Sequence, residues 1–431
     1  MQRDKESFPT VAKPLAEPRA TASPWAGSLV PAALLVGSIF VGIATYYLVR
    51  WARLSEQVEQ TVMIGHAEPQ PTAASMPALV ALGEWCMFRG GQALAGVADG
   101  KLPGKPRLLW RFKTGGEVNS SPSVSQGMVL VGSDDGSVHA LDPKSGAEAW
   151  SFKTGDKVQA APLVLEGCVY VGSGDGNFYC LDATTGHGKW TFKTGGEVLG
   201  SANWCRAEGS GQLRVVFGSY DGTLYCLSAD DGKVIWQCQT DSYVNGASAV
   251  AGGKVVFGGC DAMLRVLDAG DGAALAQVQT GSYVAGSPAV VAGRAFVGNY
   301  GGQFHCVDIE AGAIIWTYRS EDMQVFSSPA AVADKVVFGA KDGRVRCLSQ
   351  ATGQEVWQFA AKGPVDSSPA VCGDKVIVGS DDGRLYAVGL ADGAEVWSYD
   401  LGQPVTSSPA VAGSLVLVGC DDGYLYALSC Q

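Results

Sequence analysis

The sequence predicts an all-β fold: an eight-bladed β-propeller of four-stranded blades, carrying one N-terminal transmembrane helix. Three observations predict it. The segment "VGSDDGSVHALDPKSGAEAW", Val131 to Trp150, returns in the next forty residues as "VGSGDGNFYCLDATTGHGKW", ending at Trp190. A tryptophan-centred element recurs at Trp110, Trp150, Trp190, Trp236, Trp316, Trp357 and Trp397, and Ala276 occupies the one slot that lacks it. A Gly-x-x-Asp-Gly element runs in parallel from "VGSDDG" to the "VGCDDG" that ends at Gly423, and both series count to eight. Repeats of about forty residues are units that bury their faces only against neighbours, so eight of them imply a closed array.

Within a unit, the first strand is expected over Glu117 to Val124 and the second over Met128 to Ser133. The pair Asp135-Gly136 then suits a two-residue hairpin, which needs positive φ. Alternation of apolar with other residues makes Ser137 to Asp142 the third strand, and "AEAWSFK" after a Ser145-Gly146 turn makes the fourth. No helical period interrupts these units. The chain stops just after a third strand, "YLYALSC", while an unpartnered fourth strand, "RLLWRFK", opens the array at Arg107. Pairing the two would complete the eighth blade and remove an exposed edge.

The run "VYVGSGDGNFYCLDATTGHGKWTFKTGGEV" resembles the pyrroloquinoline-quinone-like propeller repeat, and "WCMFRGGQALAGVADG" from Trp85 is similar to the lead-in segment of many bacterial members of that family. The resemblance covers Trp85 to the C-terminus. It implies either a quinone dehydrogenase, with calcium and quinone in the central funnel and a vicinal disulfide, or a cofactor-free relative similar to factor B of the outer-membrane β-barrel assembly machinery. No two cysteines are adjacent here, and no long insertion builds a lid; the largest, about six residues, falls in "ANWCRAEGSGQLR".

Ahead of the repeats, residues 1–25 form an N-terminal tail, 26–49 a transmembrane helix and 50–84 a tether, leaving 85–431 for the propeller. "AGSLVPAALLVGSIFVGIATYYLV" holds twenty-four uncharged residues, enough to cross the hydrocarbon core. A cleavable signal peptide is the other reading, but the stretch exceeds a usual h-region and ends in "RWAR" without an adjacent small-x-small site. Arg3, Lys5, Lys13 and Arg19 precede it against Arg50 and Arg53 behind it, which leans towards a cytoplasmic N-terminus. A single-pass protein of the bacterial inner membrane, with its propeller in the periplasm, is the expected localisation.

The net charge is −11, which argues against nucleic acid as a partner. Twelve cysteines would suggest disulfides in a short secreted chain, but Cys180, Cys226, Cys306 and Cys347 share a slot with Ala140, Ala387 and Ala427. They read as small buried hydrophobes. Cys86 and Cys430, near the two ends, could form a clasp. His139 and His305 share a slot with tyrosines and arginines, so no metal cluster is visible. The Asp-Gly repeats read as turns rather than calcium loops, since the EF-hand pattern is absent. Haem-attachment, nucleophile-elbow and phosphate-loop motifs are also missing.

Function is therefore sought where the repeat breaks. Tyr243 and Tyr283 replace Glu117, Lys157 and Glu197, and Phe326 stands where other blades have Asn119, Gln159 and Asp366. The hairpins "CDAM" and "NYGG" and the segment "EDMQ" depart in the same three blades. Tyr243, Met263, Tyr283, Tyr300, Met323 and Phe326 are the expected partner-binding patch, because tyrosine-rich anchors on a rigid surface suit protein contacts. The expectation is a non-catalytic protein-interaction scaffold for envelope-assembly proteins, without cofactor. The alternatives are a quinone-dependent oxidoreductase holding pyrroloquinoline quinone and calcium, or a ligand-sensing propeller.

Overall fold

A computed structural model describes residues 83–430; the expected tail, membrane helix and nearly all of the tether lie outside the described residues. Among the described residues no helix is long and apolar enough to cross a membrane. Eight sheets of four antiparallel strands are present, and the sheet of blade 7 gains a fifth strand, Val97–Ala98, paired parallel to its innermost strand. Blade 1 comprises Ser123–Ser125, Met128–Gly132, Ser137–Leu141 and Glu148–Lys153. Innermost strands adjoin between blades 1 and 2 and in succession from blade 3 to blade 8, and the last adjoins the first. Closure follows the expected route: Arg107–Lys113 pairs antiparallel with Tyr424–Ser429 as the outermost strand of blade 8.

Two local expectations are corrected. The innermost strand is only Ser123–Ser125, not Glu117 to Val124. Pro122 has no N–H for a ladder, and the preceding serine works between elements instead: Ser120 Oγ accepts the Gly132 N–H at 3.1 Å and donates to the Ala160 carbonyl of blade 2 at 2.9 Å. The hairpin has three residues rather than two. Ser133 N–H donates to the Ser137 carbonyl and Gly136 N–H to that of Ser133, both at 3.0 Å. Positive φ is needed at Gly136 alone, at 84°, as in a type I turn followed by a left-handed residue.

Two glycine slots explain the strict spacing. Gly298 ends a second strand, and a Cβ there would lie 2.2 Å from Cγ1 of Val325 in the next blade. The same valine-on-glycine approach recurs around the ring, from Gly132 against Val158 to Gly419 against Val118. In the second slot each tryptophan lies flat on a left-handed turn glycine of the following blade. An added Cβ at Gly186 (φ 72°) would meet the Trp150 ring at 2.5 Å, and Trp150 Nε1–H donates to the Ala183 carbonyl at 3.0 Å. Trp397 departs from the pattern: its buried Nε1 has no partner among the described residues, while the Cys430 carbonyl accepts the Gly104 N–H. At Ala276, the slot without an indole, the methyl group itself sits on Gly312, 2.8 Å from where its Cβ would be.

The lead-in segment runs beneath the ring as a belt. Trp85 exchanges backbone hydrogen bonds with Val124 of blade 1, and the Cys86 carbonyl accepts from Val164 of blade 2. Gln92, Ala93, Ala95 and Gly96 carbonyls accept from Val250, Val290, Ala331 and Val371 of blades 4 to 7. Blade 3 is held by side chains, through Asn203 Nδ2 on the Gln92 carbonyl at 2.7 Å. Arg89, 2% exposed, drives its guanidinium into the Pro329, Ser368 and Pro369 carbonyls. Burial lowers its pKa to about 9. All twelve cysteines are free, and Cys86 and Cys430 pack in different apolar clusters, so the expected clasp is not formed.

Candidate functional site: the funnel mouth

One backbone hydrogen bond, repeated in every blade, builds the mouth. The first hairpin residue donates its N–H to the carbonyl of the inter-blade loop: Asp134 to Glu117, Gly174 to Lys157, Tyr220 to Glu197 and Cys260 to Tyr243. Tyr300 to Tyr283, Lys341 to Gln324, Asp381 to Pro364 and Asp421 to Pro404 complete the circle. Loop and hairpin thus share one rim, and the residue types at its sixteen positions vary from blade to blade while the backbone bond is kept.

The rim has two unlike sectors. Across blades 3 to 6 it is aromatic: Tyr220 stacks on Tyr243 at 4.9 Å, Tyr283 on Tyr300 at 4.4 Å, and Tyr300 meets Phe326 edge-on at 5.5 Å. Tyr243 is 53% exposed and Tyr283 36%. Such offset pairs are stable on their own, so they present a preformed apolar face. Blades 7, 8 and 1 are acidic, with Asp381, Asp421, Asp134 and Glu117 on the rim and Asp366 just inside. Burial raises Asp381, and neighbouring Asp366 raises it further. Burial likewise raises Asp421; Thr406 opposes the rise, and Glu117, Asp381 and Asp134 add to it.

Below the rim the axis opens into a cavity of about 180 Å³, with Phe88 of the belt and Phe326 in its wall. Six serines line it: Ser121, Ser201, Ser287, Ser328, Ser368 and Ser408. Each accepts a backbone N–H from the preceding blade, as in Ser287 N–H to Ser328 Oγ at 2.9 Å and Ser328 N–H to Ser368 Oγ at 2.9 Å. Asn119, Gln159 and Asn245 bring side-chain amides, and none of the lining residues is charged.

Of the patch expected from sequence, the structure brings Tyr243, Tyr283, Tyr300 and Phe326 to the aromatic sector. Tyr220, which sequence reading passed over, belongs with them; its signal was the tyrosine in the hairpin position that Asp134, Gly174 and Cys260 hold elsewhere. Met323 is not on the surface: it is 1% exposed and packs with Phe304, Phe338 and Val325. The preceding Asp322 takes a left-handed φ of 57°, and the methionine side chain joins the apolar cluster between blades 5 and 6. Met263 begins a third strand, half-buried, after a turn in which Ala262 holds φ 63° where other blades have glycine.

Sequence reading also missed why Asp recurs before the turn glycine. Its carboxylate is held by the donor four residues on, in the slot shared by tyrosine, arginine and histidine. Tyr179 Oη donates to Asp175 at 2.6 Å and Tyr225 Oη to Asp221 at 2.8 Å, while Arg265 forks onto Asp261 at 3.0 and 2.5 Å. Burial would raise Asp175, but Tyr179 and the Gly155 and Asn177 N–H groups hold it below the ordinary carboxylate value. Blade 5 has Gly301 in place of the aspartate, and His305 there turns its Nε2 to the Thr280 carbonyl at 3.1 Å. These aspartates are satisfied structural groups, unlike Asp381 of the rim, whose buried Oδ1 has no donor.

This is the geometry of a rigid closed ring with a decorated mouth, and comparison with known proteins places it. The family described as "Beta-alanine-activating enzyme, beta-propeller" matches residues 205–431, more than half the chain, and that described as "Outer membrane protein assembly factor BamB" matches residues 103–208. The chain belongs to the family of pyrroloquinoline-quinone-like β-propellers and is similar to BamB. BamB from Moraxella catarrhalis superposes with a TM-score of 0.65 at 18% identity, over 75% of this chain and 100% of that one. The computationally designed Ika8 protein gives 0.67 at 20%, over 75% and 100%. Quinohemoprotein alcohol dehydrogenase from Comamonas testosteroni gives 0.67 at 15%, over 81% and 80%. These likenesses show the fold. No curated protein matches the chain.

The quinone and calcium that the sequence resemblance implies would meet an axial cavity whose lining holds no cationic side chain for a quinone carboxylate and no carboxylate for a metal ion.

Proposed function

We propose that the chain is a non-catalytic protein-interaction scaffold of the bacterial envelope, tethered to the inner membrane by residues 26–49, with its propeller in the periplasm, and working in outer-membrane protein assembly. The observation that carries the reading is the aromatic sector: exposed, stacked tyrosine pairs on a rim whose backbone is locked by the same hydrogen bond in every blade. Large aromatic side chains held rigid lose little freedom on binding, which makes them suitable contact anchors. Similarity to BamB supports the setting. The uncharged axial cavity supports scaffold over quinone-dependent oxidoreductase.

The test is crosslinking of the full chain in membranes, beside a variant with Tyr243→Ala, Tyr283→Ala and Phe326→Ala, and identification of captured proteins by mass spectrometry. Envelope-assembly proteins should be captured by the parent and lost from the variant. Equal capture by both would remove the aromatic sector from the mechanism.

A further inference from the structure

We propose that the funnel mouth docks an extended, lysine-bearing segment of a protein partner, with an ammonium group directed to the acidic sector above the serine-lined cavity and flanking apolar residues on the tyrosines. The inference rests on the scaffold reading and names the chemistry of its partner.

Charge at the mouth is unbalanced. Glu117, Asp134, Glu197, Asp366, Asp381 and Asp421 stand on or just inside the rim, where the cationic side chains among the described residues are Lys157 and Lys341. Both lysines are already engaged: Lys341 is paired with Asp366, and Lys157 lies 3.8 Å from Glu197. Asp134 receives the Asn119 and Gln159 amides, and Asp421 the Thr406 hydroxyl at 2.9 Å. Asp381 has no hydrogen-bonding side-chain partner among the described residues, its Oδ1 is enclosed without a donor, and nearby Lys341 only partly offsets burial and its carboxylate neighbours. A carboxylate so placed beside other carboxylates costs free energy that an incoming cation would recover.

A second, independent feature lies beneath. The six cavity serines are at most 9% exposed, and each uses its oxygen to accept a backbone N–H. Not one of them donates its O–H within the described protein, so each keeps a hydroxyl proton and a second lone pair for a guest in the cavity. Such hydroxyl protons and lone pairs suit the polar backbone of an extended segment whose ammonium sits on the acidic sector above.

The molecule already contains a lysine bound in this way. Lys341 Nζ sits 5.2 Å from the centre of the Phe326 ring while it contacts Asp366, at the seam between the two sectors. A partner's lysine at the same seam would gain from a ring face and a carboxylate in the same way, with cation–π attraction added to charge. Because the charges are rim-exposed, the attraction weakens with salt.

The test uses the full chain in detergent and a fluorescent synthetic peptide of about twelve lysine, valine, tyrosine and glycine residues, beside the same peptide with its lysines acetylated. Saturable binding that falls about tenfold or more on acetylation, on Asp381→Asn with Asp421→Asn, and at high salt is expected, a loss of about 1.4 kcal/mol per tenfold. The double variant removes repulsion and so keeps the fold, which its melting curve verifies. Equal binding of both peptides, or binding of neither, overturns the proposal. If membrane crosslinking to a partner still depends on Tyr243 and Tyr283 in that case, the scaffold stands and only the cationic specificity is lost.

Discussion

At the residue scale, aspartates of one repeat family behave in opposite ways because of what surrounds them. Asp175 and Asp221 are half-buried, but they accept hydrogen bonds from donors that keep them below the usual carboxylate value. Asp381 and Asp421 are pushed above it by burial and by carboxylate neighbours. A raised folded value means that stability falls as pH rises through it, since the unfolded chain ionises more readily; below the unfolded value, about 3.9, the difference disappears. Asp381→Asn should therefore melt at a higher temperature than the parent at pH 7, with the gap closing as pH approaches about 4. Scanning calorimetry across that range checks it, and a variant less stable than the parent at pH 7 would count against uncompensated charge at the rim. In the sequence the two kinds of aspartate look alike: "SDDG" holds Asp381 and Asp382 side by side. Their roles separate only when alternate hairpin residues turn to the axis and to the third strand.

At the element scale, stability lies in the junctions between blades. Trp316 lies on Gly353 (φ 71°), where a Cβ would come within 2.6 Å of the ring, and its Nε1–H donates to the Gln350 carbonyl at 3.0 Å. Gly353→Ala should cost about 2–4 kcal/mol, from left-handed strain and overpacking together, read as a lower urea midpoint. An unchanged midpoint would mean the blades slide apart without penalty. Tryptophan and glycine slots were both legible as repeats. That each tryptophan meets the glycine of the following repeat was not, because a single repeat shows neither partner its counterpart. Strand order and ring closure were legible from alternation and from the two chain ends. The short innermost strand was not: "NSSPSV" alternates like a strand, but Pro122 and the serine cross-bonds take it out of the ladder.

For the molecule as a whole, the belt and the closing strand bind parts that are distant in sequence. Arg89 places one guanidinium among the carbonyls of blades 6 and 7. Arg89→Met should lower stability by about 3 kcal/mol, by stranding buried carbonyls, and denaturant unfolding followed by tryptophan fluorescence measures it. A loss within 0.5 kcal/mol, the scale of ordinary surface changes, would show that the backbone bonds alone hold the belt. The belt escaped sequence reading since "WCMFRGGQALAGVADG" has no period to reveal pairing; its one hint was an arginine set among glycines and apolar residues.

Closure by the Arg107–Lys113 strand also sets a timetable. Its partner, Tyr424–Ser429, leaves the ribosome roughly 320 residues later, which at synthesis rates of 5–20 residues per second is about 16–60 s. Throughout that interval the first strand of the array has no mate, and the growing array ends in an open flank. Birth of this ring is thus a wait, in which whatever shields the nascent chain must guard both ends of a sheet until the last blade arrives.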